Sequence, residues 1–165
     1  MGDERGRSGA TRITTAAEET QDLPGSWSSD GSHILVERHY SRTTGHSELY
    51  LASADGSGLT LLRTSDPFTN EVSPQFSPAG DRIVYAVEMW SPCCNTELAA
   101  VNADGTEPVR LTDSATYEYG PVWTKGGTHI VFTENLFFGL MIMNADGTGR
   151  LKILDGLAEH PTLAP

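Results

Sequence analysis

The sequence predicts an all-β fold: a β-propeller segment of about three four-stranded antiparallel blades, with single extra strands at both ends. Two observations carry that expectation. Three stretches repeat one another, Trp27 to Ile34 (WSSDGSHI), Phe76 to Ile83 (FSPAGDRI) and Trp123 to Ile130 (WTKGGTHI), so their aromatic residues fall 49 and 47 positions apart. Each is followed by a second motif, SADGSG, NADGTE or NADGTG, whose Asp-Gly pairs begin at Asp55, Asp104 and Asp146. A period of roughly 40 to 50 residues built from short strands is the mark of propeller blades.

Each unit reads as four strands. The first is short and ends at the aromatic residue: Gly25 to Ser28, Pro74 to Ser77, Pro121 to Thr124. A tight turn follows at Asp30-Gly31, Ala79-Gly80 or Gly126-Gly127, where glycine supplies the positive φ of a hairpin. The second strand is rich in β-branched and aromatic residues: His33 to Glu37, Arg82 to Val87, His129 to Thr133. A variable loop leads to the third strand, at Glu48 to Ala52, Glu97 to Val101 and Gly139 to Met143. The Asp-Gly turns then lead to a fourth, at Leu59 to Arg63, Pro108 to Thr112 and Arg150 to Leu154. Strands joined by turns this short pair antiparallel, and a four-stranded meander cannot bury both faces alone. Neighbouring units must therefore stack face to face around an axis, first strand innermost.

The ends extend the pattern. Arg12-Ile13-Thr14 matches Arg110-Leu111-Thr112, and Pro161 to Pro165 (PTLAP) matches Pro74 to Pro78 (PQFSP). We therefore expect a flexible tail at 1–11 and a propeller segment at 12–165, with blades at about 23–63, 72–112 and 119–154 and partial strands at 12–14 and 161–165. Three blades cannot enclose a ring that ordinarily takes 4 to 8.

Composition narrows the function. The formal charge is −11 with a pI near 4.7, and 38% of residues are apolar. Nucleic-acid affinity comes largely from neutralising phosphates with Lys and Arg, so no nucleic-acid partner is expected and a basic or cationic one is favoured. No apolar run approaches a membrane span, so no membrane insertion is expected. Met1 to Thr15 lacks the apolar core of a secretory signal, which read literally leaves the chain in the cytoplasm.

Candidate chemistry is sparse. Gly-x-Ser-x-Gly is absent, no Cys-His spacing is diagnostic, and no glycine loop leads from a strand into a helix, so no catalytic residues, cofactor or enzymatic activity are expected. The neighbouring Cys93 and Cys94 read as free thiols, with a strained vicinal disulfide or a metal or redox role as alternatives. The Asn-Ala-Asp-Gly motifs read as hairpin turns rather than calcium loops, since the bidentate Glu and the other ligands of such a loop are missing. His33 and His129 share one repeated slot and read as surface positions. His39 and His46, with Tyr40 and Arg42, lie in one loop as a recognition patch.

Longer loops fall at one end of such a stack: 38–47, 88–96 and 134–138 within blades, 64–73, 113–120 and 155–160 between them. That face is where a ligand is expected. Five residues before each inner aromatic stand Asp22, Glu71 and Glu118, with Glu159 and His160 near the equivalent point of a following blade. These groups either cap turns in solvent or ring a channel mouth and attract a cation or basic peptide. Trp90, Tyr117 and Tyr119 also fall in the long loops and suit a protein-binding patch, because aromatic residues dominate interface anchors. Open blade edges invite self-association.

Residues 12–165 resemble the TolB-like family of propeller repeats, whose units run WSPDG, strand, loop, ELYVMNADG, short strand, LT. The matches are WSSDG and ELYLASADG, FSPAG and ELAAVNADG, WTKGG and GLMIMNADG. The resemblance implies a non-enzymatic scaffold that binds a protein or peptide, or alternatively the substrate-gating propeller of a larger prolyl-oligopeptidase-like hydrolase or a lyase. It further implies a six-bladed ring, of which this chain carries half, and a periplasmic or secreted setting if the sequence is trimmed.

Overall fold

The computed structural model of the chain describes residues 12–15, 18–40, 46–64, 66, 68–89, 94–134 and 139–155. These hold twelve strands in three successive meanders. The first comprises β1 (Thr20–Trp27), β2 (His33–Tyr40), β3 (Ser47–Ser53) and β4 (Leu59–Arg63). The second comprises β5 (Thr69–Phe76), β6 (Arg82–Met89), β7 (Asn95–Asn102) and β8 (Val109–Arg110), and the third β9 (Glu118–Trp123), β10 (His129–Glu134), β11 (Gly139–Asn144) and β12 (Leu151–Asp155). Within each meander neighbours pair antiparallel, as turns this short demand. One parallel bridge, Ser47 to Asn70, joins β3 of the first meander to β5 of the second, so hydrogen bonding alone counts them as an eight-stranded sheet beside a four-stranded one.

The inner strands are longer than the sequence suggests. β1 and β5 each run eight residues and start well before the repeated aromatic. The reason is a bulge: pairing breaks between Pro24 and Trp27, between Val72 and Gln75, and beside Val131 in the third meander, then resumes upstream. Ser73 and Gly120 hold the same place in their blades and both turn to positive φ, 55° and 58°. The Ser73 amide is thereby aimed at Glu37 Oε2, 2.8 Å away in the preceding blade. The fourth strand of the second unit is correspondingly shorter than expected, only Val109–Arg110.

The Asp-Gly turns also join the blades to one another. Gly105 and Gly147 have φ of 84° and 86°, open to glycine and strained for other residues. A methyl group built on them would lie 2.3 Å from Leu62 O and 2.4 Å from Leu111 O, because the fourth strand of the preceding blade runs directly against the turn. At Gly56 the same place is taken by Arg12 and Ile13. Residues 12–15 form no strand, although they lie where a preceding fourth strand would end. Positions 1–11 and 161–165 lie outside the described residues.

Two apolar seams hold the stack together. Between the first and second blades lie Leu35, Leu49, Ile83, Tyr85, Ala99 and Val101, flanked by Leu51, Leu62, Phe76 and Val87. Between the second and third lie Val84, Ala86, Leu98, Ala100, Leu111, Ile130, Phe132, Met141 and Met143, flanked by Val72 and Trp123. Alternate residues of β6 thus serve opposite seams, the period of two that a strand imposes. Burying each large side chain contributes about 1.5 to 3 kcal/mol relative to leaving it exposed. The far face of the third blade has no such cover among the described residues: Val122, Leu151, Ile153 and Leu154 are all exposed.

Candidate functional site: the inner-strand carboxylates and the long-loop end

Asp22, Glu71 and Glu118 occupy one repeated position, each on an inner strand above the bulge rather than in the connecting loops where the sequence put the latter two. Antiparallel pairing reaches past them, setting Asp22 opposite Arg38, Glu71 opposite Val87 and Glu118 opposite Glu134. Each carboxylate has its own arginine. Arg38 grips Asp22 with two bonds, Nε at 2.7 Å and Nη2 at 2.9 Å. Arg63, reaching from the first blade, meets Glu71 Oε1 at 2.5 Å. Arg150 meets Glu118 Oε1 at 2.5 Å while lying over the Phe132 ring.

These pairs differ in how much of the carboxylate they satisfy. Asp22 uses both oxygens, and its bond to Arg38, the largest influence, holds its carboxyl below the usual range. Glu71 and Glu118 are 2% and 0% exposed, yet the Oε2 of each has no hydrogen-bond partner among the described residues. Burial pushes the Glu71 carboxyl up, and Arg63 opposes the shift only in part. Sequence spacing found the three carboxylates but not the arginines, because one comes from the neighbouring strand, one from the blade before and one from just before the outermost strand.

A cleft of about 340 Å³ lies against Glu71. Its walls include Arg63, Tyr85, Val87, Ala99, Val109 and Arg110, so it opens between the first and second blades. Burial, with Glu71 beside it, raises the Tyr85 phenol to about 12, so it is un-ionised at neutral pH. Glu97, also on the wall, is pinned by Asn95 Nδ2, the Ser114 amide, Thr112 Oγ1 and Arg110. Nothing in the sequence marked Glu97 or Ala99; both emerge from strand register.

At the long-loop end, Tyr117 is exposed just before β9 and stacks on Tyr119, with ring centroids 6.3 Å apart and planes 5° from parallel. Glu118 between them points the other way and is buried. Tyr40, at the end of β2 rather than in a loop, stacks on His46 at 4.8 Å, and its hydroxyl bonds Glu48 and Tyr50, so these side chains form a network on the first blade. Trp90, Glu159, His160 and Arg42 lie outside the described residues.

The remaining candidates have local roles. Asp104 Oδ1 accepts from Thr106 N and Oγ1, and Asp146 does the same with Thr148, so these carboxylates close their own hairpins. Those bonds, the side-chain one foremost, hold both carboxyls below the ordinary range. His33 and His129 each bond the preceding hydroxyl through Nδ1, Ser32 and Thr128, as a repeated slot should. Cys94 is an exposed free thiol and Cys93 lies outside the described residues. Among the described residues no three His, Cys, Asp or Glu side chains group as a metal site.

No family model matches the sequence. Dipeptidyl-peptidase 5 of Porphyromonas gingivalis is 39% identical over 80 residues, which is 47% of this chain and 11% of that protein. Two solved structures align along most of the chain. One is a protein assigned as TolB from Agrobacterium tumefaciens, with a TM-score of 0.72, 21% identity, and coverage of 87% of this chain and 51% of that one. The other is TolB from Acinetobacter baumannii, with a TM-score of 0.63, 20% identity, and coverage of 88% and 35%. The chain thus spans about half the length of the first and a third of the second. Three face-packed meanders that superpose on these structures give the chain the fold of the TolB-type β-propeller.

Proposed function

We propose that the chain is a non-catalytic propeller segment that binds a protein or peptide through its long-loop end, with a basic partner favoured. The observation that carries this reading is the parallel stacking of exposed Tyr117 on half-buried Tyr119 in a chain of net charge −11. Paired tyrosines offer a large rigid contact area at low entropic cost, and the acidic field draws a basic partner while repelling phosphate backbones. Trp90, next to this end in sequence, belongs to the same proposed patch, as do Glu159 and His160. Titration with an array of basic and acidic peptides tests it. Basic peptides should bind, weaken as salt is raised, and lose roughly tenfold or more in affinity on Tyr117→Ala. Equal binding of acidic peptides, or no change on Tyr117→Ala, contradicts it.

A second reading is that the segment gates substrate for a larger hydrolase or lyase, favoured by an 80-residue stretch 39% identical to a dipeptidyl-peptidase. A reading frame continuing into an α/β-hydrolase domain supports this alternative. A frame continuing into further repeats supports the first.

A further inference from the structure

We propose that the cleft between the first and second blades receives a lysine side chain of the bound peptide, its ammonium on Glu71 and its stem along Val87, Ala99 and Val109. This rests on the peptide-binding reading above and names the group that is recognised.

Glu71 lines the cleft, is 2% exposed, and has its Oε1 held by Arg63 while Oε2 meets no donor among the described residues. A buried carboxylate oxygen without a partner is costly, and an entering N–H group recovers that cost. The oxygen is closed to solvent in the unbound chain, so the head reaches it as the outer guanidinium of Arg63, 30% exposed, shifts while its Nε stays on Glu71 Oε1. The cleft suits a cation, since Asp66, Glu71 and Glu97 on its walls outnumber Arg63 and Arg110. One open oxygen fits a compact ammonium better than a guanidinium, which favours a two-oxygen fork.

The third blade shows what closes such a cleft. Ala99 lies opposite Tyr85 in the second blade, and Met141 lies opposite Phe132 in the third. Counting from the turn glycines Gly105 and Gly147, Pro108 holds the place that Arg150 holds in the third blade. There Met141 packs in the seam with Phe132, and Arg150 lies over that ring on Glu118, whereas Ala99 and Pro108 line an open cleft together with Glu71.

Methyl-detected NMR of the full chain tests the assignment, using an acetylated Gly-Gly-Lys-Gly-Gly peptide, its norleucine counterpart and n-butylamine. The lysine peptide should shift the Val87, Ala99 and Val109 methyls, and the norleucine peptide should bind at least about tenfold more weakly, the scale of one hydrogen bond to a charged group. Ala99→Met should weaken the lysine peptide at least as much while keeping the native spectrum, because methionine is what the third blade already carries there. Glu71→Gln should do the same if it folds. Undiminished binding to Ala99→Met, or equal affinity for the norleucine peptide, overturns the proposal. Butylamine binding as tightly as the peptide reassigns the cleft to free amines and overturns it too. Shifts confined to the methyls of Thr116, next to Tyr117, and Thr133, paired with Tyr119, overturn the cleft while leaving the long-loop reading in place; shifts nowhere remove both.

Discussion

The two seams of this molecule share one backbone plan and differ in what fills it. Both pair the alternate residues of a second and third strand against the sheet of the previous blade, both carry a buried inner-strand glutamate, and both place a leucine, Leu62 in β4 or Leu111 just after β8, against a glycine turn. The seam between the second and third blades is closed by Phe132, Met141 and Met143, with Arg150 laid over the phenyl ring. The seam between the first and second has Tyr85, Ala99 and Val101 at the same places and keeps a cleft of about 340 Å³. A repeat fixes where a space can form, and the side-chain volume at one or two slots decides whether it does.

The largest effects should come from the shared framework. Gly147→Ala would force a positive φ on alanine and drive a methyl into Leu111 O, with an expected loss of about 3 kcal/mol or more in denaturant unfolding. Gly31, whose φ is 71° but whose added methyl meets nothing within 4 Å, is the control; Gly31→Ala should cost only about 1 kcal/mol. Equal losses at the two glycines would mean that the close approach between blades contributes nothing.

A smaller effect separates the inner carboxylates by pH. Asp22 has its folded pKa depressed by Arg38, so the stability it contributes is complete above its ordinary 3.8 and is lost as pH falls through the lower folded value. Glu71 has its folded pKa raised by burial, so it favours the folded state at low pH and that contribution disappears as pH rises from 4.5 through the folded value. Asp22→Asn should therefore flatten the acid side of a stability profile, whereas Glu71→Gln should remove a fall in stability as pH rises above 4.5. Identical changes in the two profiles would show that the two carboxylates sit in equivalent environments, against the geometry.

Much of the framework was legible because it is written in local chemistry. Trp27, Phe76 and Trp123 with their glycine turns mark each hairpin, and Asp55, Asp104 and Asp146 mark the next, since only particular residues make those turns. The bulge at Ser73 and Gly120 was not legible: serine gives no local sign of positive φ, and its amide is satisfied by Glu37 of another blade. For the same reason the inner strands run longer than their sequence signal, and Glu71 and Glu118 stand on strands where the sequence suggests loops. The carboxylates could be counted from the aromatics, but Arg38, Arg63 and Arg150 come from three unrelated sequence distances. Ala99 and Met141 are plain in the sequence as letters, and their difference acquires meaning only when strand register sets both against the same kind of seam.

The reciprocal swap at that slot is the direct test that seam filling, rather than the backbone, distinguishes the two interfaces. Thermal or denaturant unfolding should show Met141→Ala losing about 2 to 5 kcal/mol through the cavity it opens. Ala99→Met should change stability by less than about 1.5 kcal/mol in either direction, because the cleft already has room for the longer chain. A loss for Ala99→Met as large as that for Met141→Ala would contradict the account.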